Sequence, residues 1–167
     1  RGQLLVTFTG AYGEAGTVIT ITPQGFHVND HLIQGLKTVT NAGANEQGHT
    51  YFTIAVNGTV TAPDGSWTST HSGQRVRTWI EGEGTPVIQD DVYSITGTGN
   101  GTNRNGVTYT AAITTPLRVE ADCPWIVSGV YQITPAGRQA RVIDFGNGTC
   151  DQQATVTIGN YTFTIGG

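Results

Sequence analysis

Apolar and polar residues alternate along most of this chain with a period of two. In the first such run Leu4, Val6 and Phe8 fall on one side of an extended segment, and the last run places Tyr161 and Phe163 in the same way. Successive side chains of a strand point to opposite faces, so each run predicts a half-buried strand. The longer stretches lack the 3.6-residue period of a helix. The pattern therefore predicts an all-β fold.

Short turn signals separate these runs. Asn57 and Gly58 form the pair that type I′ hairpins favour, because both residues tolerate a positive φ. Residues 63–66, the glycine-rich segment 97–101 and residues 103–106 likewise predict hairpin tips. Short strands joined by such turns pair with their neighbours in the chain. The sequence thus predicts an antiparallel up-and-down meander of about ten to twelve strands, closed as a sandwich or a barrel.

The length of 167 residues suits a single domain. We therefore predict one all-β domain over residues 1–167. Residues 42–48 form the most loop-like segment of the chain. They leave open a division into a smaller N-terminal unit, residues 1–48, and a meander, residues 49–167.

The chain has two cysteines, Cys123 and Cys150. In a chain that is poor in charge and rich in threonine they predict a disulfide, which forms and persists in oxidising compartments. Closing that loop stabilises a fold by about 3.5 kcal/mol in the chain-entropy model. Two free buried thiols are the alternative interpretation.

Charged residues make up 12% of the chain, and its formal net charge is −4; an average domain has about 25% charged residues. Lysine and arginine form no run, and a nucleic-acid partner requires a basic surface that releases counterions. No apolar stretch approaches the roughly 18 residues of a membrane-spanning helix. We therefore expect no nucleic-acid partner and no membrane span in this chain.

The few acidic residues do not form a convincing catalytic set. Glu81, Glu83 and Asp91 are the strongest candidates, since glycoside hydrolysis needs two carboxylates about 5–10 Å apart across a cleft. The glycine and proline around them favour a solvated loop instead. We expect the protein not to be an enzyme and to use no cofactor and no metal.

Residues 144–151 form the segment that is richest in oxygen ligands. Asp144, Asn147 and Asp151 offer the carboxylate and amide oxygens that Ca²⁺ prefers. Their spacing differs from that of an EF-hand loop, and a disulfide-pinned turn capped by Asx side chains explains the same residues more simply. Calcium binding at these residues is left open by the sequence.

Two of the three tryptophans, Trp67 and Trp79, lie in one long strand-like segment. Exposed on a sheet, their rings would stack on sugars, which makes them candidate glycan-binding residues. Buried, they would be core anchors, which is the commoner role of tryptophan. A carbohydrate-binding or adhesin module is therefore the alternative function.

Six blocks of sequence follow one another in the second half of the chain. They are TWIEG (78–82), DDVYSITG (90–97), GTNRNG (101–106), ITTPL (113–117), CPWIVSG (123–129) and IDFGNGTCD (143–151). In this order they resemble the C-terminal β-domain of a family of secreted or outer-membrane lipoproteins of Bacteroidota. The likeness extends over nearly the whole chain and is most specific in residues 78–151. It implies export and display at the cell surface, and it implies no known reaction.

Members of that family are usually longer at the N-terminus and carry a lipid-anchored cysteine there, so the resemblance suggests that Arg1 follows a cleavage point. Some Bacteroidota pilus subunits are matured by Arg-specific proteolysis and then polymerise by donating a strand to a neighbour. We therefore expect a protein of the extracellular or outer-membrane surface that self-associates by strand addition into a filament or layer. The candidate donor-strand residues are Leu4, Val6, Phe8, Tyr161, Phe163 and Ile165.

Overall fold

The computed structural model describes residues 1–166 as one antiparallel sheet with a single 3₁₀ turn at Ile88–Asp90. The strands are β1 (Gln3–Phe8), β2 (Val18–Gln24), β3 (Phe26–Val28), β4 (His31–Ala44), β5 (Thr50–Thr61), β6 (Thr68–Glu81), β7 (Val92–Thr102), β8 (Thr108–Glu120), β9 (Ile126–Pro135), β10 (Arg141–Asn147), β11 (Gln153–Ile158) and β12 (Tyr161–Gly166). The described residues contain no helix with the length and hydropathy that crossing a membrane takes.

Strands that follow one another in the chain are neighbours in the sheet. The order is β1-β2-β4-β5-β6-β7-β8-β9-β10-β11-β12, with the short β3 also paired to β4, and every pair is antiparallel. This confirms the predicted meander. β1 and β12 are the two edges, so the described strands do not close into a barrel. A long open sheet curls because its strands twist. Of the two predicted architectures, a sandwich therefore stays compatible with the structure and a closed barrel does not.

The two faces of the sheet differ in composition. In the first strands the register aligns Ile19 with Val39, and Val39 with Ile54. In the last strands it aligns Val156 with Phe163 on the same side. We call this side the apolar face. The opposite side, the threonine face, includes Thr7, Thr20, Thr38, Thr98, Thr155 and Thr164.

The core lies along the middle of the apolar face. The ring of Phe52 is 1% exposed, and Tyr12 of the β1–β2 loop stacks on it with the ring centroids 5.0 Å apart. Toward the edges the same face opens to solvent. The buried apolar side chains of the described residues are Val39, Phe52, Ala62, Val92, Ala111, Leu117, Cys123, Val127, Ala154 and Val156.

The domain exposes more surface than a compact protein of its size. Its accessible surface is 9839 Å² at a mass of 17.6 kDa, whereas the size scaling of compact monomers gives about 7,900 Å². The excess is what we expect of a long sheet whose apolar face is only partly covered. Apolar side chains are therefore exposed to solvent at the margins of the sheet.

Asn57 and Gly58, which the sequence predicts as a hairpin turn, lie inside β5. They pair with Leu36 and Gly35 of β4, so the turn prediction is wrong. Gly35 has a φ of 134°, and a Cβ on it would clash with the carbonyl oxygen of Asn57. The glycines here permit a close approach of two strands and do not form a turn.

Residues 97–101, another of the predicted hairpin tips, lie within β7. That prediction is also wrong, for a reason that involves the neighbouring strands. A Cβ on Gly99 would lie 2.9 Å from Cε1 of His71, and one on Gly101 would lie 2.7 Å from the hydroxyl oxygen of Tyr109. The glycines leave room for two rings on the apolar face, and Gly101 also allows the carbonyl oxygen of Thr70 to approach closely. The predicted tip at residues 103–106 is confirmed, since the β7–β8 connection lies there.

The loop-like segment 42–48 does not interrupt the sheet. β4 and β5 pair on both sides of it, from Leu32 with Thr61 to Ala44 with Thr50. The N-terminal unit, residues 1–48, and the meander, residues 49–167, thus share one continuous sheet through residue 166.

Cys123 and Cys150 form the predicted disulfide. The bond joins the turn before β9 to the segment between β10 and β11, across a sequence separation of 27 residues. The indole N–H of Trp125 donates a hydrogen bond to the carbonyl oxygen of Gln153, at 3.2 Å. The covalent link and the hydrogen bond therefore hold the same two segments together.

Candidate functional site

The first strand is an open edge of the sheet. β1 pairs with β2 over all six of its residues, and its other side has no strand of the described chain beside it. On the apolar face Leu4 is 49% exposed and Phe8 is 58% exposed. The candidate donor residues Leu4, Val6 and Phe8 therefore lie in the protein's own sheet and at its margin.

The last strand is the opposite edge. β12 pairs with β11 from Tyr161 to Gly166, and its outer side likewise has no neighbour among the described residues. Tyr161 is 80% exposed, and Phe163 and Ile165 also project from the apolar face with large exposed areas. This candidate donor segment is thus also an edge strand of its own sheet.

Neither edge carries the features with which proteins block unwanted pairing. The sequences of β1 and β12, QLLVTF and YTFTIG, contain no charged residue and no proline. The register runs without a bulge along both strands. The free N–H and C=O groups of such an edge pair readily with another chain. Both edges are therefore sites where a further strand can add.

The two edges run in the same direction. Eleven strands lie on the path from β1 to β12, so ten antiparallel steps separate the edges. Consider a joint, that is, an edge-to-edge strand pair between two copies whose apolar faces lie on the same side. If β12 of one copy pairs with β1 of the next in this way, the two strands must be parallel. A two-fold joint of β12 with β12, or of β1 with β1, is antiparallel instead. The direction of the edges therefore distinguishes two modes of self-association.

The two candidate glycan-stacking tryptophans are half-buried. Trp67 lies just before β6, with its ring centroid 5.2 Å from that of His31. Trp79 packs against Tyr93 with the centroids 5.6 Å apart, and its indole nitrogen is buried without a hydrogen-bond partner among the described residues. Neither ring stands free of neighbours as an open platform for sugars.

A cation–aromatic cluster surrounds Arg77, and no pattern in the sequence pointed to it. The guanidinium carbon lies 4.8 Å from the centre of the Phe52 ring and 5.0 Å from that of Tyr93, and the group donates a hydrogen bond to the hydroxyl of Tyr12. The Tyr93 hydroxyl donates to the buried Asp91 at 3.2 Å. Burial, followed by the negative charge of Asp91, raises the pKa of Tyr93 to about 12. The cluster holds together the middle of the apolar face.

The three carboxylates considered for glycoside hydrolysis have structural partners. A carboxylate oxygen of Glu81 lies 2.9 Å from the guanidinium of Arg118. Glu83 accepts a hydrogen bond from the backbone N–H of Thr50 at 3.1 Å. Asp91 is buried and bonded as described above. Each of the three carboxylates therefore has a contact of its own within the fold.

Local hydrogen bonds shape the oxygen-rich segment 144–151. Asp144 accepts from the backbone N–H of Gly146 at 2.9 Å, and Asp151 accepts from that of Gln153 at 3.0 Å. The side-chain oxygen of Asn147 accepts from a threonine hydroxyl two residues later, at 3.1 Å. Such bonds are typical of Asx turns. Among residues 1–166, no group of three or more His, Cys, Asp and Glu side chains is placed to hold a metal ion.

Comparison with known proteins gives no family for the chain. No protein-family model, curated protein or solved structure matches it. The resemblance to Bacteroidota surface lipoproteins therefore stays a prediction. The class that the geometry itself defines is an open antiparallel sheet, pinned by one disulfide, with two unprotected edge strands.

Proposed function

We propose that the protein is a structural subunit of an extracellular filament or layer, assembled by pairing of its edge strands with those of neighbouring copies. The observation that carries the proposal is the pair of bare edges, β1 and β12, which lack charge and proline and present apolar side chains on one face. A subunit that bonds through two separate edges extends into an open assembly, whereas one that bonds through a single self-complementary edge stops at a dimer.

The form of strand addition that fits is edge-to-edge pairing. Both candidate donor segments already hydrogen-bond within their own sheet, so neither is a detached strand that would insert into a groove. A strand added to an exposed edge gains its affinity from main-chain hydrogen bonds and its specificity from alternate side chains. In β12 those side chains are Tyr161, Phe163 and Ile165 on the apolar face.

Two-fold joints suit the strand directions best. They pair β12 with β12 and β1 with β1 in the antiparallel sense that the rest of this sheet uses, which is somewhat more stable per residue than parallel pairing. Where β12 pairs with β12, the apolar side chains around Phe163 contact the same side chains of the second copy. Where β1 pairs with β1, the apolar side chains around Val6 contact their counterparts in the same way. The two joints alternate and thereby extend the sheet.

A location at the cell surface is included in the proposal. The disulfide between Cys123 and Cys150 supports an oxidising compartment, because cytosolic thiols are kept reduced. The resemblance to secreted lipoproteins supports the same location. The low charge of the two edge strands suits close contact between copies.

The test places a charge in the centre of each edge. We expect Val6→Lys to stop assembly at dimers joined through β12, and Phe163→Lys to stop it at dimers joined through β1, because lysine blocks edge pairing. The double variant is then a monomer. Sedimentation velocity of the full chain over a range of concentrations measures the three outcomes.

Thr98→Lys, on the threonine face of the central strand β7, is the matched control and should assemble like the unchanged protein. If each single variant were a monomer, and a mixture of the two formed dimers, the joints would be head-to-tail and the two-fold arrangement would be wrong. An unchanged protein that stays a monomer at every concentration would contradict assembly through the edges altogether.

A further inference from the structure

The apolar face holds a cavity at one end of the sheet, apart from the two edges. It has a volume of about 420 Å³ and lies between the β7–β8 hairpin tip and the β9–β10 turn. Its apolar wall includes Ile133 and Pro135. The polar and aromatic side chains that line it are His71, Asn103, Asn105, Tyr109, Tyr131, Arg138 and Arg141.

Two of its rings are held in place by the sheet beneath them. Nδ1 of His71 lies 2.9 Å from the hydroxyl oxygen of Tyr109, and the two ring planes are inclined by 13°. The rings occupy the space that side chains at Gly99 and Gly101 would fill. Neither glycine has a positive φ; lack of space requires glycine there, because the rings and the backbone carbonyl oxygens of Thr70 and Ser72 on the neighbouring strand leave no room for a Cβ. The cavity is therefore a built feature of three adjacent strands.

The cavity is also positively charged in a protein of net charge −4. No Asp or Glu is among its lining residues. Within residues 1–166 the ion pairs are those of Arg1 and Arg118, so Arg138 and Arg141 have no carboxylate partner. Arg75 lies beside His71 at a narrow gap that has no room for a water molecule. An anion that enters this cavity therefore meets guanidinium groups that form no ion pair within residues 1–166.

The hydrogen-bonding state of the histidine fits an uncharged polar partner. Burial, and then the charge of Arg75, lower the pKa of His71. The ring is therefore neutral at neutral pH and offers one donor nitrogen and one acceptor nitrogen. Nδ1 bonds Tyr109, so Nε2, which lies over Gly73 and Gly99, is the ring nitrogen that remains for a hydroxyl group.

We propose that this cavity binds a carboxylate-bearing sugar residue of a polysaccharide. The guanidinium groups of Arg138 and Arg141 each donate a charge-assisted hydrogen bond to the carboxylate. The rings of Tyr109 and Tyr131 supply flat apolar surfaces for the C–H side of the sugar, and His71 bonds a hydroxyl. A volume of about 420 Å³ lies within the range of small-ligand sites, about 300–1,000 Å³.

This inference goes beyond assembly through the edges and does not depend on it. It also gives the alternative prediction of a carbohydrate-binding module a specific place. Trp67 and Trp79, the residues that the sequence suggested for glycan contact, do not line this cavity.

The test is calorimetric titration of the full chain with tetragalacturonate, with the neutral cellotetraose and with a sulfated tetrasaccharide. We expect tetragalacturonate to bind at least tenfold more tightly than cellotetraose. This difference in affinity should become smaller as salt is added, because salt screens the charges. Arg138→Gln and Arg141→Gln should each weaken binding of tetragalacturonate about tenfold or more, because each removes a charge-assisted hydrogen bond.

Arg104→Gln, on the same hairpin tip but not a lining residue, is the control and should bind like the unchanged protein. The melting temperature of each variant shows that the fold is intact. Equal affinity for tetragalacturonate and cellotetraose, or unchanged affinity in both arginine variants, would overturn the proposal. Tighter binding of the sulfated sugar would overturn the assignment of the anion as a carboxylate.

Discussion

Phe52 and Phe8 project from the same face of the sheet, yet their surroundings differ. Phe52 is 1% exposed beneath Tyr12 and Arg77, whereas Phe8 is 58% exposed on an edge strand. We predict that Phe52→Ala lowers the free energy of unfolding by about 3–5 kcal/mol, and that the matched Phe8→Ala lowers it by less than about 1 kcal/mol. Urea unfolding of monomeric protein measures both losses, and equal losses would contradict the placement of the core.

Tyr93 links stability to alkaline pH. Its pKa is raised to about 12 in the folded protein, whereas an unfolded tyrosine ionises near pH 10. Above about pH 10 the unfolded state therefore binds fewer protons than the folded state, so the free energy of unfolding falls until about pH 12. We predict that Tyr93→Phe makes this fall shallower, as measured by urea unfolding between pH 9 and 12. If the dependence of the free energy of unfolding on pH were the same in Tyr93→Phe, the raised pKa of Tyr93 would not be the cause of the fall.

The sequence allowed the disulfide to be predicted, because a chain that is poor in charge and rich in threonine favours a bond between its two cysteines over two free thiols. It did not allow the cavity beside His71 to be predicted. His71, Tyr109 and Arg141 come from three strands, and only the register of β6 to β10 brings them together. The glycines at alternate positions of β7, Gly99 and Gly101, were the available signal, because they mark a close approach on one face of a strand.

At the scale of strands, hairpin prediction depended on glycine and succeeded only where other turn residues agreed. The Asn57–Gly58 pair matches a type I′ turn, yet it lies inside β5. The tip at 103–106 was predicted correctly; there Asn103 also accepts hydrogen bonds from the backbone of Asn105 and Val107. A two-residue turn signal contains no information about the neighbouring strand. That strand can form hydrogen bonds with the same backbone groups and keep them extended.

The disulfide belongs to this scale because it pins the segments around β9, β10 and β11. We predict that replacing Cys123 and Cys150 together by alanine lowers the free energy of unfolding by about 2–4 kcal/mol, because the unfolded chain regains the freedom of a long loop. Trp125→Phe, which removes the hydrogen bond to Gln153 and part of the ring but leaves the disulfide intact, is the comparison and should cost about 1 kcal/mol. A double alanine variant as stable as the unchanged protein would contradict the role of the link.

For the whole molecule, the period of two was enough to predict an antiparallel meander of the observed strand number. It was not enough to predict that the sheet stays open. Closure depends on whether β1 meets β12, and alternation is the same in an edge strand as in a central one. The resemblance pointed to donor strands at both ends of the chain, but only the structure shows that β1 and β12 both lie at the margin of the sheet.

Amide hydrogen exchange tests the central claim most directly, since each free edge should become hydrogen-bonded when copies join. The exchange of residues 3–8 and 161–166 is compared between assembled protein and the monomeric variant that carries both Val6→Lys and Phe163→Lys. We predict slower exchange in both segments on assembly and no change in β6 and β7, which are paired in either state. Assembled protein in which both terminal segments exchange as fast as in the monomer would contradict assembly through the edges.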